Sequence, residues 1–531
     1  MANSFSYVPY KETGSFSHLV TDYLDNTADI QPFYHYAPDA RGISRAIDER
    51  CNYPVDRKTL ATTLTRQYAT LTKFNKAEDN IQLLLKENTF TVCTAHQPNL
   101  LTGYLYFIYK ILHAVKLAEE LSKAHPDKHF VPVFYMGSED NDIDELGTFR
   151  FRGEKFVWDG DGQAGAVGRM STKGLKSILN DLFKTFGPPG KNCDTLQEML
   201  TNAYLKHKTI GDATQYLVNE LFGRYGLVVL NPDEPSLKER FVPVMEDELL
   251  YQNAFPIITK QIEKLAAHYK IQAHPRQINL FYLADNLRER IETKGEKWIV
   301  VNTDIERTKA DILDELKQHP ERFSPNVMLR GLYQETILPN VAFIGGGAEV
   351  AYWLQLRPLF EYYKVFYPSI LLRQSVLWVS DPMSKLRRSL EFNTTEIFRS
   401  EMQLVREYVA RHGTDQWQTG DEHAAIENIF RSLGAKAASL DPTLKSAADA
   451  ALTKMKYQLS ILETKMLRAE KRKMQVQLTR ISKLKACLFP NGGLQERVEN
   501  FSEYFLLYGP SFFDIIKDGT EPLSGKFLVI E

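Results

Sequence analysis

Apolar and polar positions change rhythm several times along the chain. Residues 1–89 carry apolar anchors such as Leu60, Leu71, Ile81 and Leu84 within charged segments, which predicts a mostly helical start. Residues 90–94 then form a short β-prone run, 105–123 a helical stretch, and 130–136 a second apolar run. Strand, long helix, strand is the spacing of a βαβ unit, which implies parallel strands. The same grammar recurs at 226–230, at 298–301, at 341–344 running through three glycines into a helix near 348–363, and at 369–372.

These runs predict an α/β, Rossmann-like parallel-sheet core in two parts, 1–150 and 225–380. They spread over far more chain than such a core needs, so inserted domains are expected at 151–224 and near 240–300. The Gly-rich tract 160–168 reads as a loop or hairpin at the base of the first insertion. From 381 the character changes again, as glycine all but vanishes and charged residues alternate with Leu, Ile and Met. Asp441-Pro442 is a helix start, since Asp caps and Pro is tolerated in the first turn. The run that follows continues to about residue 488, and Leu452, Met455, Leu459, Leu462, Met466 and Ala469 mark a heptad seam. Two long helices joined across 413–438 then predict an antiparallel coiled-coil arm at 381–488. Residues 489–531 return to the core and end on the apolar 527–530.

Composition narrows the class. With 531 residues, 43% hydrophobic and 25% charged, the chain has material for two to four domains and a large core. A formal charge of -2 gives no global basic field for nucleic acid. No apolar run approaches membrane-spanning length, and residues 1–10 lack the pattern of a signal peptide. The four cysteines, Cys51, Cys93, Cys193 and Cys487, form no C-x-x-C pair, so no metal ligands are assigned. A cytoplasmic protein is expected.

Ligands of open α/β sheets bind beyond the carboxyl ends of strands, so the turns there are the candidate chemistry. The first turn holds His96, Gln97, Asn99, Thr102 and Gly103. At a helix start these groups either bind an anion or move a proton, or they simply satisfy the turn. The second holds Ser138, Glu139, Asp140 and Asp142 in a run of five carboxylates, which suits an amine or magnesium, or a solvated helix start. The third is Gly345, Gly346 and Gly347, followed by Glu349, Tyr352, Trp353 and Gln355. It is neither G-x-G-x-x-G nor a Walker loop, so it is either a ligand-approach turn or a tight structural one. Ser384, Lys385 and Arg388 are phosphate candidates or a solvated helix face, with Asn491, Arg497, Tyr504 and Tyr508 as pocket partners. Cys93, inside a strand, reads as a small buried apolar residue rather than a nucleophile.

Read together, TAHQPNLLTG (94–103), VPVFYMGSED (131–140), SPNV (324–327) with Asn326 and Arg330, Gln334-Glu335, IGGGAEVAYWLQL (344–356) and LFPNGGLQER (488–497) resemble the cysteine-adding enzyme family of bacillithiol biosynthesis, the BshC cysteine ligases. The resemblance spans essentially the whole chain. Where many members have Gly-Gln-Gln this chain has Ala95-His96-Gln97, which moves weight from His96 to Gln97, Asn99 and Thr102 as positioning groups. The family implies a Rossmann-like core with connecting-peptide insertions, a coiled coil that helps form a homodimer, and a reaction joining the carboxyl of cysteine to the amine of glucosaminyl-malate. Such an amide bond needs an activated carboxyl group, so ATP/ADP is the expected cofactor, with magnesium at the acidic turn beside it. On this basis Asp140, Glu349 and His96 are the candidate catalytic groups. Two other readings stand beside it: a nucleotidyltransferase-like enzyme acting on another small metabolite, and a non-catalytic ligand-binding dimer scaffold.

Overall fold

The computed structural model describes residues 4–413 and 419–531. Its centre is a parallel sheet of β1 (Thr89–His96), β2 (His129–Met136), β3 (Val228–Leu230), β4 (Asn340–Gly345) and β5 (Ser369–Leu372), in the order β5-β4-β1-β2-β3. β1 is buried along all but its last residue and β4 along its full length, as expected of parallel strands covered on both faces. The crossover α1 (Leu105–Ala124) connects β1 to β2, whereas β4 lies on the other side of β1. Strand order therefore reverses between β1 and β4, and the crevice beyond their carboxyl ends is the place where such sheets bind ligands.

Within the α/β body two expectations from sequence need correction. The run at 298–301 is not a core strand. Lys297–Val300 pairs antiparallel with Leu287–Lys294 in a separate five-stranded sheet that also holds Glu306–Arg307, Leu280–Ala284 and Phe323–Pro325. Lys294 faces Lys297 across the ladder, so only Gly295 (φ +63°) and Glu296 join the strands, and a link that short excludes a parallel crossover. The helix expected near 348–363 is two, Gly347–Trp353 and Arg357–Tyr363, because Pro358 is tolerated only at the start of the second. Of the two alternatives for 160–168 the structure shows the loop, with two single turns, Gly160–Gly162 and Val167–Arg169. Its end docks on the acidic turn, with the N–H groups of Val167 and Gly168 donating to the carbonyls of Asp140 (2.7 Å) and Ser138 (2.8 Å). The approach requires glycine, since a Cβ on Gly168 would lie 2.5 Å from that of Ser138.

The apolar 527–530 falls in strand Lys526–Ile530, which pairs antiparallel with Phe5–Pro9 and parallel with Val376–Trp378. A strand at the start of the expected helical region thus meets the last one. By contacts the chain divides into two compact units, residues 1–11, 15–378 and 494–530 in one, and 12–14, 379–493 and 531 in the other.

The second unit contains the helices Asp381–Ser389, Glu401–His412, Gly420–Leu440, Leu444–Lys473 and Gln475–Leu488. Gly420–Leu440 and Leu444–Lys473 form an antiparallel hairpin, in which a Cβ on Gly434 would touch Ala448 and Lys456 pairs with Glu427 at 3.2 Å. The join is therefore at 441–443 rather than across 413–438, of which 414–418 lie outside the described residues. Asp441 shapes that turn by accepting from the N–H and hydroxyl of Thr443, both at 2.8 Å. The long run also breaks once, at Met474, whose backbone leaves helical geometry (φ -105°, ψ 17°). Among the described residues no helix is long and apolar enough to cross a membrane.

Within the first unit a buried charge cluster ties the insertions to the core. The Lys238 side chain, 1% exposed, pairs with Glu139, lies 3.5 Å from Asp233 and donates to the Phe323 carbonyl at 3.0 Å. Arg169 grips Asp233 through two hydrogen bonds of 2.7 Å. Burial pushes the Glu139 carboxyl up against the pull of Lys238, whereas for Asp233 the charges of Lys238 and Arg169 outweigh burial and hold it below its usual range. Removing one partner of a buried pair strands the others. Lys238→Met is expected to cost about 3–5 kcal/mol in urea denaturation; a loss below about 1 kcal/mol, the worth of a surface pair, would rule out this anchoring role.

Candidate active site

A cavity of about 350 Å³ opens at the carboxyl ends of β1, β2 and β4, at the reversal of strand order. His96 and Gln97 line it from the first turn, Ser138, Glu139 and Asp140 from the second, and Gly346, Gly347, Glu349 and Tyr352 from the third. Asn326 and Arg330 enter from α2 (Val327–Ile337), which Asn326 caps by accepting from the Met328 N–H at 2.9 Å. Arg497 completes the wall and is itself exposed.

The other candidates are placed elsewhere. Asn99 and Thr102 are buried beneath the first turn, where Leu101, Thr102 and Gly103 all have positive φ, and their polar side-chain atoms find no partner among the described residues. The Gly103 carbonyl accepts from Asn500. Asp142 caps the short helix Ile143–Leu146. Gly345 ends β4, and its missing Cβ leaves room for Glu349, whose own Cβ would be only 2.8 Å away. Trp353 is fully buried against Phe343 and Phe360, and Gln355 fastens residues 272–273 through backbone hydrogen bonds. Tyr504 stacks on Phe512 and donates to Glu499, while the half-exposed Tyr508 rests on Trp378. Ser384 donates to Glu531, Lys385 and Arg388 are exposed on Asp381–Ser389, and Asn491 is exposed in a turn at φ +55°.

Charge in the cavity is divided into paired and unpaired groups. Glu349 accepts from buried Lys110 and from the Gly346 N–H (2.8 Å), and Lys110 also donates to the Ala95 carbonyl at 3.1 Å. Burial draws the Lys110 pKa down while Glu349 pulls it back. Arg373 is neutralised by Glu496 through two hydrogen bonds of 2.8 and 2.6 Å. Glu139 is taken by Lys238. Arg330 instead donates to Gln334 (3.1 Å) and the Tyr352 hydroxyl (2.7 Å), and Arg288 to Asn141 (3.0 Å), neither with a carboxylate in ion-pair contact among the described residues. On the acidic side, Asp140 accepts from Gln97 (3.0 Å) and from the Asn141 N–H (2.8 Å). One pocket thus offers spare guanidinium charge and a spare carboxylate, the complement of a ligand bearing both an anion and an amine.

Burial, reinforced by Lys110, Arg373 and Arg330, pulls the His96 imidazole well below its usual pKa. The ring is neutral at pH 7 and packs edge-on against Tyr106 and Phe107, so it is a weak base rather than a proton carrier near neutrality. The glycine turn does not fit the phosphates of a nucleotide, because the Glu349 carboxylate already occupies its leading N–H and places negative charge there. Among the described residues no three His, Cys, Asp or Glu side chains gather into a metal cluster.

Lys110, Arg288, Arg373 and Tyr106 also line the cavity and were not candidates from sequence. Lys110 alone left a signal, as a lysine inside the apolar stretch 105–112 of a helix that buries most of its surface.

The comparisons agree with this architecture. The family model described as "Bacillithiol biosynthesis BshC, N-terminal Rossmann-like domain" matches residues 4–374, and its companion "C-terminal coiled-coil domain" matches 376–531. The chain belongs to the BshC family. A relative from Flavobacterium johnsoniae is 38% identical over 525 residues, covering 98% of this chain and 99% of that one. Another from Flavobacterium psychrophilum is 38% identical over 527 residues, covering 99% of each. A more distant one from Bacillus thuringiensis is 26% identical and covers 97% and 98%. All three carry the name "Putative cysteine ligase BshC".

Behind the BshC cavity, Asn326 donates to Asn279 (2.9 Å), whose own amide donates to the fully buried Glu248 (2.8 Å). Burial pushes the Glu248 carboxyl from 4.5 up to about 7. Its proton is therefore held more tightly in the folded state, and its contribution to stability declines as pH rises from 4.5 through about 7. Denaturant titrations between pH 5 and 8 should show Glu248→Gln losing less stability across that window than the parent; parallel curves would refute the assignment.

Proposed function

We propose that the chain is a ligase that adds cysteine to the amine of glucosaminyl-malate during bacillithiol biosynthesis, with the cavity at the β1/β4 reversal as its site. The observation that carries this reading is the coexistence in one cavity of Arg330, in ion-pair contact with no carboxylate among the described residues, and Asp140 held by Gln97. The malyl carboxylates face Arg330, with Arg288 and Arg497 as further cations on the wall. The sugar amine faces Asp140. The amine nitrogen attacks the activated cysteine carbonyl, Asp140 accepts the proton the nitrogen sheds, and the leaving group departs with the electron pair of its acyl bond. Glu349, clamped by Lys110 and the Gly346 N–H, orients rather than accepts protons. Holding both reactants in one small cavity supplies much of the rate. A cytoplasmic location follows from this role.

Thiol profiling of the source bacterium tests the assignment. Deleting the gene should abolish bacillithiol and accumulate glucosaminyl-malate, and the intact gene should reverse both. Arg330→Met or Asp140→Asn should fail to restore bacillithiol while remaining folded. Unchanged bacillithiol in the deletion strain, with no second gene copy, would remove the function, and full rescue by both variants would remove the site.

The helical unit serves, on the same reading, as the face where two copies meet. Met455 and Leu462 of the heptad seam and the neighbouring Tyr457 stay 45%, 51% and 63% exposed within the chain. Light scattering should give twice the chain mass, falling to one chain mass in Met455→Glu/Leu462→Glu; a parent of one chain mass would refute it.

A further inference from the structure

Two arginines line the same cavity and are held in opposite ways. Arg373 is locked to a buried carboxylate, that of Glu496, by two short hydrogen bonds, and its charge is spent inside the protein. Arg330 is held as firmly, but by neutral acceptors only. Its Nη1 donates to the Gln334 amide oxygen at 3.1 Å and its Nη2 to the Tyr352 hydroxyl at 2.7 Å. Burial keeps that hydroxyl protonated by raising its pKa.

The carboxylate nearest along the hydrogen-bond chain stands one step back. Gln334 Nε2 donates to Glu335 Oε1 at 2.7 Å, and Asn340 Nδ2 donates to the same oxygen at 3.0 Å. Gln334 and Glu335 are 0% and 1% exposed, so neither reaches solvent or a ligand directly. A buried glutamine with both ends of its amide committed has one orientation, which fixes Nη1 of Arg330. A glutamate at 334 would have the same shape and would grip the guanidinium as Glu496 grips Arg373, with a charge-assisted pair.

We propose that Gln334 is a positioning residue that orients Arg330 through an uncharged hydrogen bond, with Glu335 held one bond behind, so that the full guanidinium charge is reserved for a substrate carboxylate. This rests on the reading of Arg330 as the carboxylate ligand. Gln334 touches no substrate and acts only through Arg330.

Calorimetric titration of the full chain with glucosaminyl-malate tests it, with thermal unfolding as the control for folding. Gln334→Glu should weaken binding by about ten-fold or more, the scale of a charge-assisted hydrogen bond. Gln334→Met, which removes the orienting bond and adds no charge, should weaken it less. The exchange variant Gln334→Glu/Glu335→Gln, which keeps the same two side chains and moves the carboxyl one step toward Arg330, should bind as poorly as Gln334→Glu. A merely structural role predicts the reverse order, with Gln334→Met worst and the two near-isosteric variants close to the parent, and that order would overturn the proposal. No binding by the parent, or parental binding by Arg330→Met, would instead remove the carboxylate reading of Arg330 and the proposal with it. Loss in Arg330→Met together with parental affinity in Gln334→Glu would overturn the positioning role alone.

Discussion

A lysine ammonium with almost no access to water must be paired, and the pairing of Lys238 holds together the pieces that make the site. Its partners come from unrelated parts of the chain: Glu139 from the turn after β2, Asp233 from the segment after β3, and the Phe323 carbonyl from the inserted antiparallel sheet. Arg169, from the turn that docks on Ser138 and Asp140, joins through Asp233. The acidic turn is thereby fixed from behind by charge and from the side by backbone hydrogen bonds. Asp140 is left for the cavity because Glu139, next to it on the same wall, is taken by Lys238.

The same economy of charge runs through the cavity. Where an ion is needed for structure its counterion is supplied: Lys110 has Glu349, Arg373 has Glu496, Lys238 has Glu139. Where the protein supplies only neutral hydrogen bonds, as around Arg330 and Arg288, the remaining charge is directed to the cavity. Charged groups in a binding site are informative mainly by what they lack, since a lining residue with a full set of internal partners gains little from a ligand.

That distinction explains how far the sequence could be read. The places of β1, β2, β4 and β5 along the chain and the three polar turns at strand ends were legible, because buried parallel strands leave apolar runs and the turns break them sharply. The strand at 297–300 was equally apolar, and only the two-residue link at Gly295-Glu296 betrays its antiparallel partner. In the helical unit the heptad seam was visible, but the join was put across 413–438 rather than at Asp441-Pro442, which read as a helix start. Among the site residues, Trp353 and Gln355 looked alike to Tyr352 as polar-capable groups after a glycine turn. The pitch of a short helix turns Tyr352 toward Arg330 and buries Trp353 in the core. Arg288 and Arg373 were not legible at all, since nothing local distinguishes an arginine aimed at a distant cavity from one on the surface.

The partition of charge also separates the two carboxylates proposed for proton transfer. A carboxylate that accepts from a buried ammonium and a backbone N–H is committed to the structure, because the ammonium depends on it as a partner. Glu349 is in that position, with Lys110 itself buried and dependent on it. Asp140 accepts from a neutral amide and one backbone N–H, with no cation in ion-pair contact among the described residues. On the proposed function the acceptor also lies where the amine is held, on the wall that carries no ammonium of its own. Asp140 meets both requirements, and Glu349 meets neither while Lys110 remains its partner.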